Sequence, residues 1–321
     1  MQKAKLRVAR LSIIAGAVLT AGKLTVGLAM NSISVVSEAV HSGLDLLAAI
    51  IAYAAVWIAG RPADEMHHYG HGKFENLAAI IEALLIIGAG VLIILQALPK
   101  LRGESEIHSL GLGAAVMGVS AAVNLAVSAI LMRTAKKTDS PALAADAWHL
   151  RTDVYTSAGV FAGLLAIRLT GLTILDPLLA LGVTLLIFKA AVDLLRESVG
   201  SMLDVRLPET EEKIIREVLT GYAGEFVDFH NLRTRRAGAE RHVDLHLVVP
   251  RGRPISLVHD LCERIEKSLE KELAGVQVLI HPEPCQSAGE DCQVCSLCIK
   301  WHGTNDRFRP SCVQCPGRNK K

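Results

Sequence analysis

Aromatic side chains are scarce. Phe, Trp and Tyr together make up 4% of 321 residues, with a formal net charge of +2. A surface that stacks bases needs aromatic rings, and one that tracks a polyanion needs a basic excess, so nucleic acid is not the partner this composition implies. Charged residues are 21% of the chain, a little below a soluble average, while 51% are hydrophobic and the mean hydropathy is +0.36. No G-x-x-x-x-G-K-[ST] loop is present to hold a nucleotide phosphate, and no H-E-x-x-H helix to make a metalloprotease. ATP-driven pumping and intramembrane proteolysis therefore lack their usual signatures.

What is abundant is uninterrupted apolar sequence, and it is confined to the first 200 residues. Six stretches, at about 11–30, 33–59, 77–98, 110–132, 142–169 and 174–194, approach or exceed the roughly 20 residues needed to cross hydrocarbon. Lys3, Lys5, Arg7 and Arg10 precede the first. Arg61 and Lys73 follow the second, Arg133, Lys136 and Lys137 the fourth, and Arg196 the sixth, whereas the opposite side carries mainly Lys100, Arg102 and Arg168. By the positive-inside rule both termini are expected to be cytoplasmic, in a multi-pass protein of the cell (inner) membrane. The first run lacks the small-residue cleavage pattern of a secretory leader and reads as a span.

After Arg206 the period changes. The order helix–strand–strand–helix–strand is expected, with strands at 226–235, 242–249 and 276–281, a turn at Ala237–Gly238, and Ser256 as the cap of the second helix. The predicted organisation is thus an all-α six-helix transmembrane domain at 1–205, a small α+β domain at 206–284, and a Cys-rich tail at 285–321.

The chemistry lies in residues that are costly to place in lipid. Span two carries His41 and Asp45, and span five His149 and Asp153. Both are His-x-x-x-Asp, a spacing that puts the two side chains on one helix face. An Asp at the centre of a span costs roughly 2.5–3.5 kcal/mol on insertion scales, so such residues face partners or water. Each His could bond its own Asp, but two such pairs in antiparallel spans can instead meet, giving two imidazoles and two carboxylates, a donor set suited to tetrahedral Zn²⁺. Donor type alone leaves Co²⁺, Cd²⁺ and Fe²⁺ open. Such ligands bind metal only when His is neutral and Asp ionised, so metal and protons exclude one another at the site and a proton gradient is the natural driving force. Glu38, Asp146, Arg151 and Asp176 read as helix-end or ion-pair residues, Gly16, Gly22, Gly27, Gly88 and Gly90 as points of close helix approach, and Lys23 and Glu82 have no role in this reading.

The loop after span two places Asp64, His67 and His71 at spacings of three and four, dense in metal-liganding residues. In the tail, Cys292, Cys295 and Cys298 are followed after thirteen residues by Cys312 and Cys315, with Cys285 upstream. Paired C-x-x-C elements in a reducing compartment point to a Cys₄ zinc knuckle from Cys295, Cys298, Cys312 and Cys315, with Cys292 and His302 as spare ligands. An iron–sulfur cluster is the alternative occupant, although the spacing fits neither common ferredoxin run. Cys262 reads as a small buried hydrophobe.

Ser37–Asp45, the His-Tyr-Gly-His-Gly-Lys-Phe-Glu core of the loop, Asp146–Ser157 and Phe229-His-Asn-Leu-Arg-Thr-Arg together resemble the cation diffusion facilitator family, over roughly 5–284. The resemblance implies a homodimer with six spans and a cytoplasmic ferredoxin-like domain, exchanging cytoplasmic divalent metal for protons. It implies that His41, Asp45, His149 and Asp153 form the transport site, with His in the first position associated mostly with zinc and Asp there with a wider set including iron and cadmium. It implies a second site at Asp64, His67 and His71, and a cytoplasmic one near the dimer contact from His230, His246, His259, His281 and Glu283. Glu283 stands where many relatives carry Asp, which leaves metal bridging there open. The tail departs from the family pattern. A membrane-anchored metal sensor or chaperone is the alternative function, and it would have no need of ligands inside the spans.

Overall fold

The computed structural model describes residues 2–29, 33–101, 112–170 and 175–285, in two compact units that divide between Leu203 and Asp204. The tail cysteines Cys292, Cys295, Cys298, Cys312 and Cys315, and His302, lie outside the described residues.

The first unit holds six long helices: α1 (Gln2–Ala29), α2 (Ile33–Ala59), α3 (Lys73–Leu101), α4 (Leu112–Thr138), α5 (Pro141–Thr170) and α6 (Leu175–Met202). Among the described residues, five of them, α1, α2, α3, α4 and α6, are long and apolar enough to cross a membrane. The helix outside that set is α5, which carries Asp146, His149, Arg151, Asp153 and Arg168. Large apolar side chains cover much of the outer surface, while several ionisable ones are buried. Ile14, Val18, Leu28, Leu92, Leu185 and Leu186 point outward, while Lys23, Glu82, Asp146 and His149 are buried. Inside a bilayer the outward face meets lipid and polar groups gain by turning inward.

α1 packs on α2, α3 on α6 and α4 on α5, and α5 also touches α2, α3 and α6. The seams are built of small residues. Ala9, Ala55, Ala78, Ala135, Ala142 and Ala147 sit with Leu131 and Leu143 in one cluster, and their short side chains let backbones approach where lipid offers no hydrophobic drive for association. Gly90 of α3 is the sharpest case, since a Cβ there would lie 2.7 Å from Cε1 of Phe188 on α6. Gly16 lies against Leu46, but Gly22 and Gly88 have nothing within 4 Å of an added Cβ, so close approach does not account for them. On one side of the bundle Lys5 Nζ of α1 meets Glu75 Oε1 of α3 at 2.7 Å, with Lys5 5% and Glu75 2% exposed. The Ser140 hydroxyl, just before α5, donates to the other oxygen of Glu75.

The second unit runs α7 (Glu209–Gly221), β1 (Asp228–Ala237), β2 (Glu240–Val249), α8 (Ile255–Glu272) and β3 (Val276–Pro284). The sheet order is β1-β2-β3, with β1 antiparallel and β2 parallel to their next neighbours. Gly238, at φ 61°, makes the hairpin turn. Val243, Leu245 and Leu247 alternate toward Ile215 and Leu219 of α7 and toward Leu261, Cys262, Ile265 and Leu269 of α8, so both helices cover one sheet face. Ser256 does not cap α8. The helix is entered from Pro254, whose carbonyl accepts the N–H groups of Leu257 and Val258 and whose fixed φ suits that entry. α7 is entered in the same way from Pro208. β3 runs past Pro282 to Pro284 because Pro lies in an edge strand, where a missing N–H costs little. Cys285 follows, fully buried, its N–H bonded to Val249 O at 2.9 Å.

Candidate metal centre

In the helical unit, His41 and Asp45 of α2 face His149 and Asp153 of α5. Asp45 Oδ1 lies 3.1 Å from His149 Nε2 and 3.9 Å from His41 Nε2, and His41 Nε2 lies 3.8 Å from Asp153 Oδ1. The ligand atoms of His41, Asp45 and Asp153 all lie within 4.8 Å of one another, a separation one ion can span, and His149 joins them through Asp45. His149 Nδ1 and Asp153 Oδ2 are buried with no hydrogen-bond partner among the described residues, a cost that buried polar atoms normally avoid.

These side chains open on a cavity of about 80 Å³ lined by Lys23, His41, Asp45, Ser120, Ala121, Asn124, Asp153, Thr156 and Ser157, drawn from α1, α2, α4 and α5. The sequence reading did not select Ser120, Asn124, Thr156 and Ser157. Ser120 and Asn124 stand one turn apart on α4, and Thr156 and Ser157 about one turn beyond Asp153 on α5, but without charge they do not stand out from helix-packing Ser and Thr. Arg151 turns elsewhere, its Nε donating to Ser128 Oγ at 3.0 Å and its guanidinium lying over Trp148. Glu82 and Asp146 are buried but are not among the cavity's lining residues.

In the loop, Asp64 Oδ1 lies 3.2 Å from His67 Nδ1 and Oδ2 lies 3.2 Å from His71 Nε2, with the two imidazoles 4.4 Å apart. The backbone N–H groups of His67 and Met66 donate to Oδ1 at 2.7 and 3.0 Å. The His67 N–H foremost holds the Asp64 carboxyl below its ordinary range, so it stays an anion available to a cation.

In the α+β unit the strand register sets His230, His246 and His281 abreast on three neighbouring strands. Glu283, two residues on from His281, returns to the same face. Its Oε1 lies 2.7 Å from His246 Nδ1 and 3.9 Å from His281 Nε2, and its Oε2 lies 3.3 Å from His230 Nε2. His230, His246 and Glu283 have ligand atoms close enough for one ion. His259 is not in this group. It is exposed on α8, the helix that covers the other face of the sheet, and its charged neighbours are Glu263 and Glu266.

Among the described residues, five helices long and apolar enough to cross a membrane mark the chain as a helical integral membrane protein. Residues 9–203 match the cation efflux transmembrane domain and residues 207–285 the cation efflux protein cytoplasmic domain. An uncharacterized transporter of Synechocystis sp., sll1263, is 36% identical over 80% of this chain and 83% of its own length. The cation-efflux pump FieF of Pectobacterium atrosepticum is 30% identical over 81% of this chain and 86% of its own. A solved structure of CzrB in its Zn form matches at 38% identity, covering 25% of this chain and 90% of that one with a TM-score of 0.24. The chain belongs to the cation efflux family, the cation diffusion facilitators, as an integral membrane metal efflux transporter.

Proposed function

We propose that the protein exports Zn²⁺ from the cytoplasm in exchange for protons, by alternating access around His41, Asp45, His149 and Asp153. The observation that carries the reading is the shared Asp45 oxygen, 3.1 Å from His149 and 3.9 Å from His41. With Asp45 ionised it can only accept, so His149 Nε2 is the protonated nitrogen of that bond. The incoming ion needs a free lone pair on that nitrogen, so loading the site displaces the proton there, to solvent when the ring is imidazolium and to Nδ1 when it is neutral, and protonation from a more acidic exterior expels the ion. Two nitrogens and two carboxylates favour Zn²⁺ over cations that prefer all-oxygen cages.

In this reading α5 is the sixth span, since it alone carries half of the ligand set. Asp146 and His149 are tolerable there because they are buried in the bundle. Basic residues flanking the spans put both termini in the cytoplasm of a cell (inner) membrane. The protein acts as a homodimer, a reading supported by its match to the family's cytoplasmic domain. Asp64, His67 and His71 form a second zinc site, and His230, His246, His281 and Glu283 a third. The tail cysteines hold a further Zn²⁺, so deleting 286–321 should lower bound zinc and shift the concentration for half-maximal transport.

The test is proteoliposome transport under a pH gradient, metal by metal. Asp45→Ala should abolish coupled Zn²⁺ and proton flux. Full activity in that variant removes the four-residue site, and absence of flux in the wild-type chain would favour a membrane-anchored sensor or chaperone.

A further inference from the structure

Lys23 is the one Lys or Arg side chain among the residues lining the cavity of His41, Asp45 and Asp153. Lys23 of α1 is only 7% exposed, and its Nζ donates to Ser42 Oγ on α2 at 2.8 Å. Ser42 follows His41 directly in sequence, and the cavity that Lys23 lines is also lined by His41, Asp45, Asp153, Ser120 and Asn124. A lysine in a span ordinarily extends its flexible stem toward the headgroups. This one turns inward and lines a cavity of about 80 Å³ together with Asp45 and Asp153, both carboxylates of the proposed ligand set.

We propose that Lys23 is a fixed cation of the transport cavity, which sets metal affinity by opposing the ion and supports release by standing in for part of its charge when the site empties. The proposal rests on the reading of His41, Asp45, His149 and Asp153 as the cargo ligands. Two carboxylates left without an ion repel one another, and a neighbouring ammonium offsets part of that repulsion. The same ammonium repels a divalent ion in the same cavity, with a force that grows as the two charges approach. Both effects act in one direction, weakening the loaded state relative to the empty one. Uniformly tight binding of cargo would slow a carrier that must let go on the far side. Ser42 supplies the tether that keeps Nζ at the cavity wall while the ion comes and goes.

The experiment is zinc transport by the full chain in proteoliposomes, reading the half-saturating Zn²⁺ concentration and the turnover at saturation separately. Lys23→Met keeps the stem and removes the ammonium, which suits an apolar span, and Lys23→Gln keeps a donor for Ser42. Each should lower the half-saturating concentration about tenfold, equivalent to about 1.4 kcal/mol, and lower turnover as release becomes limiting. Lys23→Arg, which keeps the charge, should stay closer to wild type than either. A merely structural role for Lys23 would leave the half-saturating concentration unchanged or raise it, and either result in Lys23→Met or Lys23→Gln overturns the proposal. Asp45→Ala, measured alongside, separates the two readings. If it still transports, the ligand assignment has failed. If it is inactive while the Lys23 variants show no tightening, only the role of Lys23 has.

Discussion

One oxygen of Asp45 on α2 lies 3.1 Å from Nε2 of His149 on α5, closer than the 3.9 Å to His41 one turn away on its own helix. The strongest contact of the cluster thus runs between helices, so a change at either residue is felt on both. Asp45→Asn keeps the shape of the side chain and removes its charge. Zinc flux should fall by at least roughly 100-fold, since even residues behind metal ligands are worth 10–100-fold. His149→Ala should do the same. Initial rates of zinc uptake into inverted vesicles check both.

His41 is the most exposed member of the set, its side chain 48% accessible beside a carboxylate at 3.8 Å. His41→Asp exchanges a borderline nitrogen for a hard oxygen with little packing to disturb. The variant should carry Zn²⁺ less well and admit Fe²⁺ more readily, because oxygen donors discriminate less in favour of zinc. The ratio of Zn²⁺ to Fe²⁺ transport at fixed pH measures it.

The ion pair of Lys5 with Glu75 is buried on both sides. Glu75→Ala strands the Lys5 ammonium and should destabilise the helical unit by about 3–5 kcal/mol, whereas Lys5→Met combined with Glu75→Leu should cost much less, since removing both charges leaves none uncompensated. Thermal melting of the detergent-solubilised protein, followed at Trp57 and Trp148, distinguishes the two.

In the α+β unit Arg264 grips Glu225 with two bonds, of 2.9 and 2.5 Å, and Arg253 stands 3.6 Å away. The Arg264 hydrogen bond foremost holds the Glu225 carboxyl below its ordinary value of 4.5. A carboxyl with a depressed folded-state value contributes stability that is present above the unfolded value and is lost as pH falls through the folded one. The unit should therefore loosen below about pH 4.5, and Glu225→Gln should be less stable at neutral pH but flatter across the acid range. The effect is small, since the pair is partly exposed and screened. Hydrogen exchange across 222–273, measured at several pH values, gives the slope.

Much of this protein can be read from the chain because its signals are local. A His and an Asp four residues apart share a helix face whatever surrounds them, and Asp64, His67 and His71 are close enough in sequence to meet within one loop. The order helix–strand–strand–helix–strand follows from hydrophobic period, and strand ends missed by a few residues because pairing, not propensity, terminates a strand. The row of His230, His246 and His281 is not local. It depends on the register of three strands, with a β-bulge between His230 and Arg233 and Asn231 at φ 51°. His259 has an equally suitable side chain, but α8 sits on the other face of the sheet.

The sequence by itself determined that two imidazoles and two carboxylates stand in two His-x-x-x-Asp pairs, each pair on one face of its helix, because spacing and a period of 3.6 residues need no tertiary information. Only the tertiary structure decided which imidazole meets which carboxylate. Residues four apart on one helix are separated by about 6 Å of rise, while small-residue seams bring α2 and α5 close enough for side chains to bond across. The same packing turned Lys23 of α1 and Asn124 of α4 into walls of one cavity, a relation between four helices that no single stretch of sequence contains.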